Sequence, residues 1–164
     1  MNRKRQTSNF FLSKAPSVRE FGTGEAAEIL GVPIWRLQKF LDSKQYNLSP
    51  EGKLGHGRGS RRVFSEEDLH RIALATWLVR DGFAPQFVGA VVQQIEDSDL
   101  DVYIDHEGEE APLSLVLERG KDGPMIRIGT TKRAKTISEA YYRVDLNDVF
   151  AEVDARIAKM QQSQ

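Results

Sequence analysis

The chain of 164 residues contains no cysteine. That absence excludes disulfides, thiolate metal centres and a cysteine nucleophile, and it fits a reducing compartment. Net charge is also missing: 23 Lys and Arg stand against 24 Asp and Glu, leaving −1. No apolar run approaches the roughly 20 residues of a membrane-spanning helix. The basic start Arg3-Lys4-Arg5 is not followed by the apolar stretch of a secretory leader, so a cytoplasmic, nucleoid-associated protein is expected. Chemistry-bearing clusters are scarce. His56, His70 and His106 stand apart without a His-x3-His spacing, which argues against a metal site. Gly55-His56-Gly57-Arg58-Gly59 lacks the preceding strand and immediately following helix of a phosphate-binding loop. Neither a catalytic residue nor a cofactor is expected.

With 40% hydrophobic residues the chain has the composition of a globular protein. Its charge is strongly partitioned. Residues 1–64 hold twelve Lys and Arg against five Asp and Glu, a surplus of seven, so the remainder carries −8. Such an asymmetry suits a chain whose N-terminal part meets a polyanion.

Residues 1–18 read as a flexible basic arm. A helix is expected over about 24–30 with Thr23 as N-cap, ending where Gly31 can adopt a positive φ. Pro33 suits the first turn of a second helix, whose apolar stripe is Leu37, Phe40 and Leu41. Residues 43–64 are rich in glycine and read as a loop or loose β-hairpin. Ser65 and Asp68 form a capping box for a third helix running to Asp81-Gly82, and Ala84-Pro85 opens a fourth through Phe87, Val88, Val91, Val92 and Ile95. Beyond residue 97 short strands are expected at Val102–Ile104, Leu113–Leu117 and Met125–Ile128, with a hairpin turn at Arg119–Gly123. A final helix capped by Asp145 carries Leu146, Phe150, Val153, Ile157 and Met160 at 4-3 spacing. That seam suits either a two-chain coiled coil or packing on the protein's own sheet.

Helix, tight turn, helix, basic glycine-rich loop and capped helix is the order of a winged helix-turn-helix. Residues 21–96 resemble the DNA-binding domain of MerR-type transcriptional regulators and their excisionase-like relatives. The pattern Ala-x3-Gly-Val-x4-Leu is met by Ala27, Gly31, Val32 and Leu37, with Phe40 where an aromatic is usual. Gly59, Arg62 and Phe64 match the wing; Ser65–Leu69 and Gly82-Phe83 match the following helix start and hinge. Two departures stand out. Gln38 occupies a position where the family usually has Arg, and acidic residues 96–101 with predicted strands replace the family's long dimerisation helix.

The expected fold class is therefore α+β: a winged helix-turn-helix over residues 19–97, then residues 98–164 as a β-hairpin region with a terminal helix. The resemblance implies a sequence-specific transcriptional regulator that binds double-stranded DNA, as a homodimer, with RNA polymerase or another protein as a further partner of the C-terminal region. Arg36, Gln38 and Lys39 are residue types that read base edges or grip phosphates from a groove-inserted helix. Lys53, Arg58, Arg61 and Arg62 form the basic wing. Arg62 suits equally well a structural pair with Glu66 or Asp68, and Trp35 is expected in the core. Two other readings fit the same residues: a DNA-bending accessory of recombination or packaging, and a protein-interaction adaptor that does not read DNA.

Overall fold

A computed structural model describes residues 20–46, 48, 52–54, 61–96, 113–120, 123–130 and 140–162. Within these residues the fold is mixed α and β, with five helices and two three-stranded antiparallel sheets. The elements are β1 (Phe21–Gly22), α1 (Thr23–Leu30), α2 (Ile34–Asp42), β2 (Gly52–Leu54), β3 (Arg61–Phe64), α3 (Glu66–Arg80), α4 (Pro85–Glu96), β4 (Leu113–Gly120), β5 (Gly123–Thr130), β6 (Ala140–Asp145) and α5 (Leu146–Gln162). The expected arm over residues 1–18 and the expected strand Val102–Ile104 lie outside the described residues.

The elements fall into two compact units, and the division is not the one the sequence suggested. One unit holds β1 through α4 together with α5; the other holds β4, β5 and β6. The terminal helix, assigned from sequence to the β-rich region, instead completes the N-terminal unit. The reason is its apolar face. Leu146, Val149, Phe150, Val153 and Ile157 are all buried, and α5 packs against α3 and α1. The 4-3 seam is thus occupied within one chain, by helices rather than by a sheet, with Met160 half-buried at its end.

In the helical unit, α3 is the central element and touches α1, α4 and α5. Its start follows the expected capping box: Ser65 Oγ accepts from Asp68 N at 3.1 Å, and Asp68 Oδ2 accepts from Ser65 N at 3.0 Å. Leu69, Ile72, Leu74, Ala75 and Leu78 then fill the core with Phe21, Ile29, Leu37 and Phe64. The small sheet has the order β1-β3-β2, with Phe21 opposite Phe64 and Lys53 opposite Arg62. The N-cap of α1 is Gly22 rather than Thr23; lacking a side-chain cap, it donates its N–H to Glu25 Oε2 at 2.9 Å.

In the other unit, β4 is central between β5 and β6. The β4–β5 hairpin turns between Gly120 and Gly123, inside the segment where the sequence placed it. Leu115, Val116 and Leu117 are buried in succession, as expected for a central strand apolar on both sides. Glu118 is buried too, and Arg127 Nε donates to its Oε1 at 2.5 Å. Strand β6 was not foreseen. Among the described residues, no helix is long and apolar enough to cross a membrane.

Candidate nucleic-acid interface

The turn between α1 and α2 is fixed by backbone chemistry. Gly31 closes α1 with φ 64°, a left-handed conformation that glycine reaches without a Cβ penalty. Its N–H donates to Glu28 O at 3.1 Å while Val32 N–H donates to Ala27 O at 3.0 Å, the paired bonds of a Schellman motif. Pro33 follows as the N-cap of α2, and its carbonyl accepts from Arg36 N and Leu37 N at 2.9 and 3.1 Å. A second lock comes from α5. Arg156 Nη1 donates to Ile29 O at 2.9 Å, satisfying a carbonyl in the last turn of α1. The arginine is itself held by Glu152, four residues earlier.

Helix α2 is anchored on one side only. Leu37, Phe40 and Leu41 are buried, and Phe40 meets the Tyr46 ring edge-on at 4.9 Å. The opposite side presents Trp35 and Lys39 to solvent, and Arg36 and Gln38 are exposed on its two flanks, with Ile34 also exposed. Trp35 is 66% exposed, which corrects the expectation that it belongs to the core. The physical reason is angular. Trp35 lies two residues before Leu37, about 200° around a helix of 3.6 residues per turn, so both cannot face inward. Arg36 lies 6.0 Å from the Phe40 ring centroid and has no carboxylate partner among the described residues.

The β2–β3 hairpin stands next to this helix in the bonding network. Arg62 Nη2 donates to Asp42 Oδ1 at 2.6 Å, tying β3 to the last residue of α2. Arg62 is therefore paired neither with Glu66 nor with Asp68, the two partners expected from sequence proximity. Asp68 is engaged by Arg71, one turn along its own helix. Lys53 and Arg61 lie on the hairpin strands, where Lys53 pairs in register with Arg62 and Leu54 with Arg61. Arg58 and His56 fall outside the described residues.

The geometry thus leaves Arg36, Gln38 and Lys39 all exposed on a short helix, Lys39 on its outer side and Arg36 and Gln38 on opposite flanks, with Arg62 linked to that helix's end. Sequence reasoning missed Asp42 as the partner of Arg62 and Arg156 as a clamp on the α1–α2 turn, because both pairings join residues far apart in the chain. Among the described residues, no cluster of three or more His, Asp or Glu is disposed to hold a metal, and His70 instead bonds Asp154 at 2.7 Å and packs on Phe150. Comparison with protein-family models and with curated protein sequences finds no match.

Proposed function

We propose that the protein binds double-stranded DNA in a sequence-dependent manner as a transcriptional regulator, with α2 in the major groove and the β2–β3 hairpin as a wing on the flanking backbone. The observation that carries this reading is the outer side of α2. A helix whose inner face is buried to its last turn offers Lys39 on its outer side, with Arg36 and Gln38 exposed on its two flanks, and Arg62 couples its end to a basic hairpin. Arg forks onto guanine and Gln onto adenine, so this set suits base reading as well as phosphate contact. The resemblance of residues 21–96 to MerR-type DNA-binding domains supports the same assignment.

One such unit covers a single half-site, so tight binding calls for two copies. Because the α5 seam is filled within the chain, the proposed dimer contact uses another surface. A second reading, an architectural protein that bends DNA, is favoured by one observation: Ile34 and Trp35 are 49% and 66% exposed at the leading turn of α2, where an apolar wedge would stand.

The test is fluorescence anisotropy with random and selected duplexes over a range of salt. The proposal expects log affinity to fall linearly with log salt, and a motif to emerge from random-library selection. Arg58→Ala with Arg61→Ala should weaken binding to all sequences and flatten the slope by about one unit per lost phosphate contact. Arg36→Ala and Gln38→Ala should relax the motif, at roughly 1–3 kcal/mol for a lost bidentate base contact. Absence of binding at low salt would overturn the DNA assignment. Binding without a motif but with a strong bend, measured by end-to-end energy transfer on a labelled duplex, would favour the architectural reading.

A further inference from the structure

Beside the α1–α2 turn the helical unit forms a half-open cavity of about 300 Å³. This is on the order of ten water volumes at about 30 Å³ each, and it stands at the lower end of the size range of small-molecule sites. Its walls are mixed. Leu30, Val32 and Trp77, each half-buried, supply apolar surface, while Arg36, Arg80 and Arg156 bring three arginines against a single carboxylate, Glu152.

The three arginines are not equally committed. Arg156 is spent on Glu152 and on the carbonyl of Ile29. Arg80 lies with its guanidinium carbon 4.0 Å from the centroid of the Trp77 ring, and its only carboxylate neighbour among the described residues is the adjacent Asp81, at 3.5 Å. Arg36 has none among the described residues. Two cations thus line a recess of mixed polar and apolar walls with hydrogen-bonding capacity to spare. An anion entering there would meet charge-assisted donors, stronger than neutral ones.

We infer that this cavity is a binding site for a small organic carboxylate with an apolar body. The carboxylate engages Arg80 and Arg36, and the body lies against Trp77, Leu30 and Val32. Inorganic phosphate would satisfy the cations but leave the apolar part of the lining, Trp77, Leu30 and Val32, without a partner, so the organic anion is the better fit. Arg36 gives the site a second consequence, which rests on the DNA-binding proposal. The same side chain is exposed on the flank of α2, so an occupant that holds it competes with DNA. Linkage then requires the carboxylate to weaken DNA binding by the factor by which DNA weakens carboxylate binding.

The chain has two tryptophans, Trp35 and Trp77, and only Trp77 lines the cavity. Two indole N–H signals in a ¹⁵N-correlation spectrum of the full chain, assigned with Trp35→Phe, therefore provide a reporter and an internal control. Benzoate is the probe, with benzamide as its uncharged counterpart and inorganic phosphate as the anion without an apolar body. The expected result is a saturable shift of the Trp77 signal with benzoate, a stationary Trp35 signal, and about tenfold or greater weakening with benzamide, with phosphate, and with benzoate on Arg80→Gln. Arg80 is 60% exposed in its side chain, so this variant should keep its thermal midpoint, and calorimetry gives its affinity independently of the altered Trp77 environment. No saturable Trp77 shift, equal affinity for benzamide, equal affinity for phosphate, or undiminished benzoate binding by a folded Arg80→Gln would each overturn the site. The DNA arm is read separately: benzoate should lower duplex affinity in the parent chain and not in Arg80→Gln. A protein that takes up benzoate but binds no DNA would retire the function proposed above and leave the site standing.

Discussion

At the scale of the residue, Gly31 concentrates more constraints than any other described position. Its φ of 64° is costly for a residue with a Cβ, and a Cβ built there would collide with Nη1 of Arg156. Gly31→Ala therefore combines a backbone cost of about 1–2 kcal/mol with loss of the Arg156 bond to Ile29 O, worth about 1 kcal/mol. Urea denaturation should show a loss of roughly 2–3 kcal/mol from these two terms. The terms separate in a double-mutant cycle. In an Arg156→Ala background the arginine is already gone, so the penalty of Gly31→Ala should shrink to its backbone part. Full additivity would mean that the two residues do not communicate. Half of this was legible beforehand: the glycine's conformation follows from its place between a helix and Val32-Pro33. The arginine 125 residues further on left no trace that spacing could reveal. Trp35 shows the opposite failure, since its exposure was available from the helical wheel and the general tendency of indoles to be buried obscured it.

At the scale of the element, local signals carried the sequence reading well and pairings did not. The capping box at Ser65, the Schellman turn at Gly31 and the β4–β5 hairpin depend on residues within a few positions of one another, and each stands where the sequence put it. Strand β6 escaped because Ala140–Asp145 buries only Val144, its other residues being exposed or half-buried, and gains its strand character from pairing with β4. The α2–hairpin link is also a pairing, and it yields a prediction. Arg62 and Asp42 have side-chain exposures of 34% and 64%, so Asp42→Asn should change stability by less than about 1 kcal/mol. If the hairpin is a wing, the same change removes a negative charge from the DNA-facing side and frees Arg62 for phosphate. Affinity should then rise on all sequences, with a steeper salt slope. Anisotropy titrations check this, and a fall in affinity at unchanged stability would assign Asp42 to positioning the hairpin. Gly89 in α4 marks a second close approach, because a Cβ there would run into the carbonyl oxygen of Gln45 in the segment after α2. Backbone cannot rotate away as a side chain does, so Gly89→Ala should cost roughly 1–3 kcal/mol by overpacking, read as a lowered urea midpoint.

At the scale of the whole molecule, the decisive fact is that the helical unit is discontinuous in sequence. Elements β1 to α4 are followed by a separate β-sheet unit before α5 returns to pack against α3 and α1. A reading that ends the N-terminal domain at residue 97 treats it as able to stand alone, and the burial pattern argues otherwise. Leu146, Val149, Phe150, Val153 and Ile157 are each at most 5% exposed. At about 1.5–3 kcal/mol for each buried apolar side chain, the helix contributes on the order of 7–15 kcal/mol before its ordering entropy is subtracted. That is comparable to the whole stability of a typical domain, about 5–15 kcal/mol. Removing α5 also frees the Ile29 carbonyl and strips the cover from α3. A fragment of residues 18–97 should therefore fail to fold, showing little near-ultraviolet circular dichroism and no cooperative thermal transition. The same fragment joined to residues 146–164 through a flexible Gly/Ser linker should recover both. If the proposed function holds, it should recover DNA binding as well, since every residue assigned to the interface lies in that unit. A cooperative melt from residues 18–97 alone would show that α5 is an accessory, and that the α1–α2 turn keeps its geometry without Arg156.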